Sequence, residues 1–210
     1  AATHELLRLI GALWDDLTSN ARNAPDETIH DWKAAARTSA DGHLDDQDHK
    51  RPHIVYLPHD YICPGGRFRV QFYWDSYFII LSLLRSGRIA LAKGMVDNML
   101  YLVSRNGIVI PNRKRWAAGS QLPFLSHCVR EVYQATRDRD WLSEAVRLVE
   151  KEYHDYWVAK PHLTPVGLSR YHALPWFPAD RIPAITMDAE SSWDLSPRFD
   201  EANILNLLPV

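Results

Sequence analysis

The stretch Pro64–Tyr77 holds the densest set of side chains able to do chemistry. Gly65 and Gly66 permit positive φ and a close backbone approach. Arg67 follows with a planar fork of donors. Trp74 and Asp75 close the segment where a helical pattern begins. A ring beside a carboxylate suits a sugar: the ring covers the C–H face while the carboxylate accepts hydroxyl protons. The same residues also read as a glycine turn with Asp75 capping a helix.

Two further stretches carry polar groups inside apolar surroundings. Ile110-Pro111-Asn112 and Gly119-Ser120-Gln121-Leu122-Pro123-Phe124 supply two amide side chains, Asn112 and Gln121, around the basic trio Arg113, Lys114 and Arg115. Ala189–Phe199 contains Glu190, Ser192, Trp193 and Asp194. Taken alone, Asp194 reads as a cap before a helix.

These groups must be held by helices. Leu6, Leu7, Ile10, Leu13, Trp14 and Leu17 recur at three-to-four spacing and predict an amphipathic helix over His4–Leu17. Trp74–Leu84 is apolar and is broken by Ser86-Gly87. A helix containing Ile89, Met95, Val96, Met99, Leu100, Leu102 and Val103 stops at Asn106-Gly107. Phe124–Thr136 and Asp140–Val158 predict two more, joined by a short charged turn. Ile108–Ile110 is the best strand signal. Ser39–Lys50 has almost nothing to bury and reads as a loop; its four acids and two histidines lack a ligand spacing. Lys160–Pro178 is irregular, and a last helix is expected from Arg198. Paired helices with functional loops at one end suit an all-α fold, an (α/α) toroid or a helical bundle, in a single domain over 1–210.

The bulk properties exclude several classes. With 46% hydrophobic and 24% charged residues the 210-residue chain is globular. A net charge of -2 gives no basic excess for nucleic acid or an anionic membrane surface. No apolar run is long enough to span a bilayer. Eight tryptophans and nine tyrosines fit either a large aromatic core or a carbohydrate cleft. Cys63 and Cys128 either pair or stay as buried thiols. No metal or organic cofactor is implied.

In order and spacing, Pro64–Tyr77 resembles the trehalase-family signature Pro-Gly-Gly-Arg-Phe-x-Glu-x-Tyr-x-Trp-Asp-x-Tyr, with Val70 in place of Glu and Phe72 in place of Tyr. Ile110–Asn112 and Gly119–Phe124 are similar to that family's Ile-Pro-Asn-Gly-Asn-Arg and Arg-Ser-Gln-Pro-Pro-Phe, Gly119 standing where the family has Arg. Ala189–Phe199 resembles Ala-Glu-Ser-Gly-Trp-Asp-Phe-Ser-Ser-Arg-Trp, with Ser192 for Gly. Leu168-Ser169-Arg170-Tyr171 matches a fourth stretch, but the Arg-Pro-Glu that follows it in the family is absent.

The resemblance implies an inverting glycosidase of the (α/α) toroid type acting on trehalose, with Asp194 as general acid. It implies sugar contacts from Arg67, Trp74, Asp75, Asn112, Gln121 and Ser192, and no metal or cofactor. The missing triplet and Gly119 leave room for another α-glycoside, such as glucosylglycerate or mannosylglycerate; Val70 and Gly119 leave room for a non-catalytic sugar-binding remnant. An inverting enzyme needs a second carboxylate roughly 6.5–9.5 Å from the acid. In the family that base lies well beyond the acid. The 210 residues are therefore expected to be the N-terminal part of a toroid that lacks its base.

Overall fold

The computed structural model describes residues 2–22, 54–65, 69–112 and 120–172. Arg67, Arg113–Arg115, Ser192 and Asp194 lie outside these residues, as do the expected loop at 39–50 and the expected helix from Arg198.

The chain opens with α1, Ala2–Leu17. Only part of its apolar stripe meets the core: Trp14 and Leu17 pack there, while Leu6, Leu7 and Leu13 remain more than half exposed. The helix is tethered through its polar side. Arg88 reaches the Asp15 carboxylate and the Gly11 carbonyl, both at 3.0 Å, and Arg69 donates to the Asp16 carbonyl at 2.8 Å. The next residues, Thr18–Ser19 (β1), pair antiparallel with Tyr61–Ile62 (β2), placing Thr18 opposite Ile62.

Four helices then form the body: α2 Tyr73–Arg85, α3 Ile89–Asn106, α4 Leu125–Thr136 and α5 Arg139–Glu152. A π-helical turn, Tyr153–Trp157, extends α5. Each junction has a local cause. Gly87 takes φ 73° between α2 and α3. Gly107 takes φ 78° and closes α3 by donating its amide to the Val103 carbonyl at 2.8 Å. Asp138 caps α5 by accepting from the Trp141 amide at 3.0 Å.

α3 lies centrally, against α2, α4, α5 and β2. Its Met95, Val96, Met99, Leu102 and Val103 are buried with Ile80 and Leu83 of α2, Cys128, Val129 and Val132 of α4, and Ala145 and Leu148 of α5. Each buried valine, leucine, isoleucine or methionine among these contributes roughly 1.5–3 kcal/mol by leaving water.

One local expectation changes, and one open alternative is decided. Ile108–Ile110 forms no ladder among the described residues; the Val109 amide instead donates to the Glu152 carboxylate at 3.1 Å. A buried carboxylate supplies the acceptor that a neighbouring strand would have given. Cys63 and Cys128 are both buried free thiols, so the pairing alternative is not realised.

Candidate active site

The site is built where α2 begins. Phe72 occupies the N-cap and offers no side-chain cap, leaving the first helical amide without a local acceptor. The Gln121 Oε1 fills that role, accepting from the Tyr73 amide at 2.8 Å. One turn of helix therefore starts under the control of a side chain from another loop. Trp74 and Asp75 follow in that first turn.

Asn112 ties a second point. Its Oδ1 accepts from the Gln71 amide at 2.7 Å, and its Nδ2 donates to the Tyr61 hydroxyl at 3.1 Å. Its backbone carbonyl also accepts from Val55 at 2.9 Å. Asn112 is wholly buried, so in this structure its amide serves the polypeptide. Gln121 is half-buried.

Behind this layer lies a polar network. Gln71 donates to the Met95 carbonyl at 2.8 Å and accepts from Asn98 at 2.9 Å. Asn98 also clamps the backbone of His59, accepting from its amide at 2.9 Å and donating to its carbonyl at 3.0 Å. Gly94 lets this loop approach: a Cβ there would stand 3.1 Å from the His59 Cβ. Buried polar groups are stable only when partnered, and this network partners them with one another.

A second hub sits deeper. The Tyr73 hydroxyl donates to Glu152 Oε2 at 2.7 Å and accepts from the Leu125 amide at 3.1 Å. The other oxygen, Glu152 Oε1, receives the Val109 amide. Ser120 joins the same wall, donating from its hydroxyl to the Val109 carbonyl at 2.7 Å and from its amide to the Tyr156 hydroxyl at 3.3 Å. Tyr73, Leu125, Glu152, Trp157 and Arg170 border a cavity of about 460 Å³. Ser169, Arg170 and Tyr171 thus border the same cavity as Tyr73.

The titrating groups follow their burial. Desolvation raises the Asp75 carboxyl above its ordinary value, partly offset by a hydrogen bond from its own amide. Desolvation raises Glu152 further, to about 7, against the lowering effect of its hydrogen bonds. Tyr73, wholly buried beside Glu152, is held well above the usual phenol range by desolvation and then by that carboxylate. Trp74 is half-buried and meets Phe78 edge-on at 6.2 Å, while Tyr77 stacks on Phe124 at 5.0 Å.

The structure thus brings four residues named from sequence, Trp74, Asp75, Asn112 and Gln121, onto three connected segments. It adds Gln71, Tyr73, Asn98, Ser120 and Glu152, which the sequence reading did not single out. Glu152 had a signal: it continues the buried Ala145–Leu148 stripe of α5 at helical spacing, where a carboxylate is anomalous. Among the described residues no cluster suits a metal ion, and no helix is long and apolar enough to cross a membrane.

The trehalase family model matches residues 17–201, and the chain belongs to the trehalase family. It is 38% identical over 144 residues to a trehalase of Apis mellifera, covering 68% of this chain and 22% of that protein. It is 31% identical over 179 residues to a trehalase of Arabidopsis thaliana, covering 81% of this chain and 25% of that protein. The chain therefore spans about a quarter of the length of these relatives. The neutral trehalase Nth1 of Saccharomyces cerevisiae superposes with a TM-score of 0.72 at 21% identity, over 93% of this chain and 55% of that one. That likeness defines the fold: the helical pairs are part of an all-α toroid.

Proposed function

We propose that this chain supplies one wall of an inverting glycoside hydrolase site acting on trehalose. The observation that carries the reading is the convergence of Trp74-Asp75 with the Asn112 and Gln121 segments through the Gln71 and Tyr73 amides. A ring and a partly buried carboxylate stand together at a helix start, where the helix field favours negative charge.

In this reading Trp74 covers a pyranose face and Asp75 accepts hydroxyl protons. Gln121 caps the helix that carries them, and Asn112 holds the segment beside it from within. Arg67 and Ser192 complete the grip. Asp194 donates its proton to the glycosidic oxygen as the C–O bond breaks. A second carboxylate removes a proton from water as its oxygen attacks the anomeric carbon from the opposite face. The acid must hold its proton near neutral pH, which requires burial or a neighbouring carboxylate; Glu190 is the nearest such group in sequence.

The complete protein that carries this chain should release glucose from trehalose, with the anomeric configuration inverted at the attacked carbon. Asp194→Asn should lower kcat by at least roughly a thousandfold. An unchanged rate in that variant would remove Asp194 from the acid role. A second substrate reading, glucosylglycerate or mannosylglycerate, is favoured by the absence of Arg-Pro-Glu after Leu168–Tyr171 and by Gly119. Comparing kcat/KM across the three glycosides separates the two.

A further inference from the structure

We infer that Glu152 is a positioning residue for the sugar-binding wall: through the Tyr73 hydroxyl and the Val109 amide it sets the first turn of α2, with Trp74 and Asp75, against the segment that carries Asn112. The inference rests on the sugar-binding reading of that wall.

The geometry is specific. Glu152 is 3% exposed, at the end of α5. Its two oxygens serve two different segments: Oε2 takes the Tyr73 hydroxyl at 2.7 Å, and Oε1 takes the Val109 amide at 3.1 Å. Tyr73 adjoins Trp74 and lies two residues before Asp75. Val109 lies three residues before Asn112. The Tyr73 hydroxyl also accepts from the Leu125 amide at 3.1 Å, four residues after Gln121. One carboxylate therefore links the helix start, the Asn112 segment and, through Tyr73, the start of α4.

The donor count excludes a simple substitute. Tyr73 has one hydroxyl proton, and it points at Glu152 while the oxygen receives Leu125. The Val109 amide can only donate. Both Glu152 oxygens thus face donors, a demand that the ionised carboxylate, the form held above pH about 7, meets with both oxygens and a carboxamide meets only in half. A glutamine there places its NH2 against Tyr73 or Val109 and orphans one proton. Glu152 is almost wholly buried, and it acts through Tyr73 and Val109. The other titrating neighbour is the Cys128 thiol on α4, and Arg170 borders the same cavity.

The test is steady-state kinetics and amide exchange on the complete protein bearing Glu152→Gln, Tyr73→Phe or both. If Glu152 positions the wall, KM for the hydrolysed glycoside rises about tenfold or more in each single variant while kcat stays within about threefold. The double variant then loses no more than the worse single one, because both break one linkage. Amides of residues 71–75 exchange faster in each variant while those at the centre of α3 do not change. A folded Glu152→Gln protein with KM within about twofold of the parent overturns the inference. If Glu152→Gln does not fold, Tyr73→Phe decides: it leaves the carboxylate and Val109 paired, and an unchanged KM in it overturns the inference equally. If the parent hydrolyses no glycoside, the functional reading fails. The exchange pattern then decides Glu152 by itself: unchanged protection at 71–75 overturns its positioning role.

Discussion

Gln121 Oε1 caps α2 at the Tyr73 amide, 2.8 Å away and 48 positions distant in sequence. The helix that presents Trp74 and Asp75 thus begins where another loop allows it to begin. Fold and site are linked at that bond: loosening the Gln121 loop frays the turn that carries the carboxylate.

Gln121→Ala should therefore act on both. Removing the acceptor leaves the Tyr73 amide uncapped, at a cost of about 1–2 kcal/mol. The urea midpoint should fall accordingly without a change in slope. Gln121→Glu keeps an acceptor at the same reach and should recover most of the stability.

Asn112→Ala should cost more, about 2–4 kcal/mol, because it orphans the Gln71 amide in a fully buried place and takes a donor from the Tyr61 hydroxyl, which keeps the Arg69 carbonyl at 3.5 Å. Thermal unfolding measures it. A loss below that of Gln121→Ala would show that the buried partners find water or each other.

Asp75→Asn separates binding from folding. Burial already raises the Asp75 carboxyl, so a neutral side chain of the same shape relieves a desolvation cost. Above the ordinary carboxylate range the variant should be as stable as the parent or slightly more so. Sugar affinity, followed by calorimetric titration, should fall by about tenfold or more as the charged acceptor is lost.

Glu152 predicts a pH dependence. Its folded pKa, about 7, lies above the ordinary carboxylate value because burial disfavours the charge. The folded state therefore keeps a proton that the unfolded chain gives up. This contribution is fully present below the ordinary carboxylate range and is lost as pH rises through about 7. It amounts to on the order of 3 kcal/mol. Urea unfolding between pH 4.5 and 8 should show the loss in the parent, and Glu152→Gln should abolish this component of the slope.

Cys63 and Cys128 should be inert. Both thiols are buried and raised by desolvation, so a thiol reagent should label neither until the protein unfolds. Reductant should leave the melting temperature unchanged.

The sequence by itself determined the helices, because apolar spacing and turn residues act within a few positions. Asn106-Gly107 ended α3 where expected, since a left-handed residue closes a helix locally. It also held the ordered motif in Pro64–Tyr77 and the two amides, Asn112 and Gln121, as residue types. Tertiary structure decided what those amides do. Nothing local says that Asn112 faces inward to Gln71 and Tyr61, or that Gln121 caps a helix 48 positions away. Ile108–Ile110 read as a strand because β-branched residues favour extended backbone, yet its hydrogen-bond partner became the carboxylate of Glu152. Hydrogen bonds between distant segments depend on where packing brings the backbone, and the order of residues along the chain does not encode that distance.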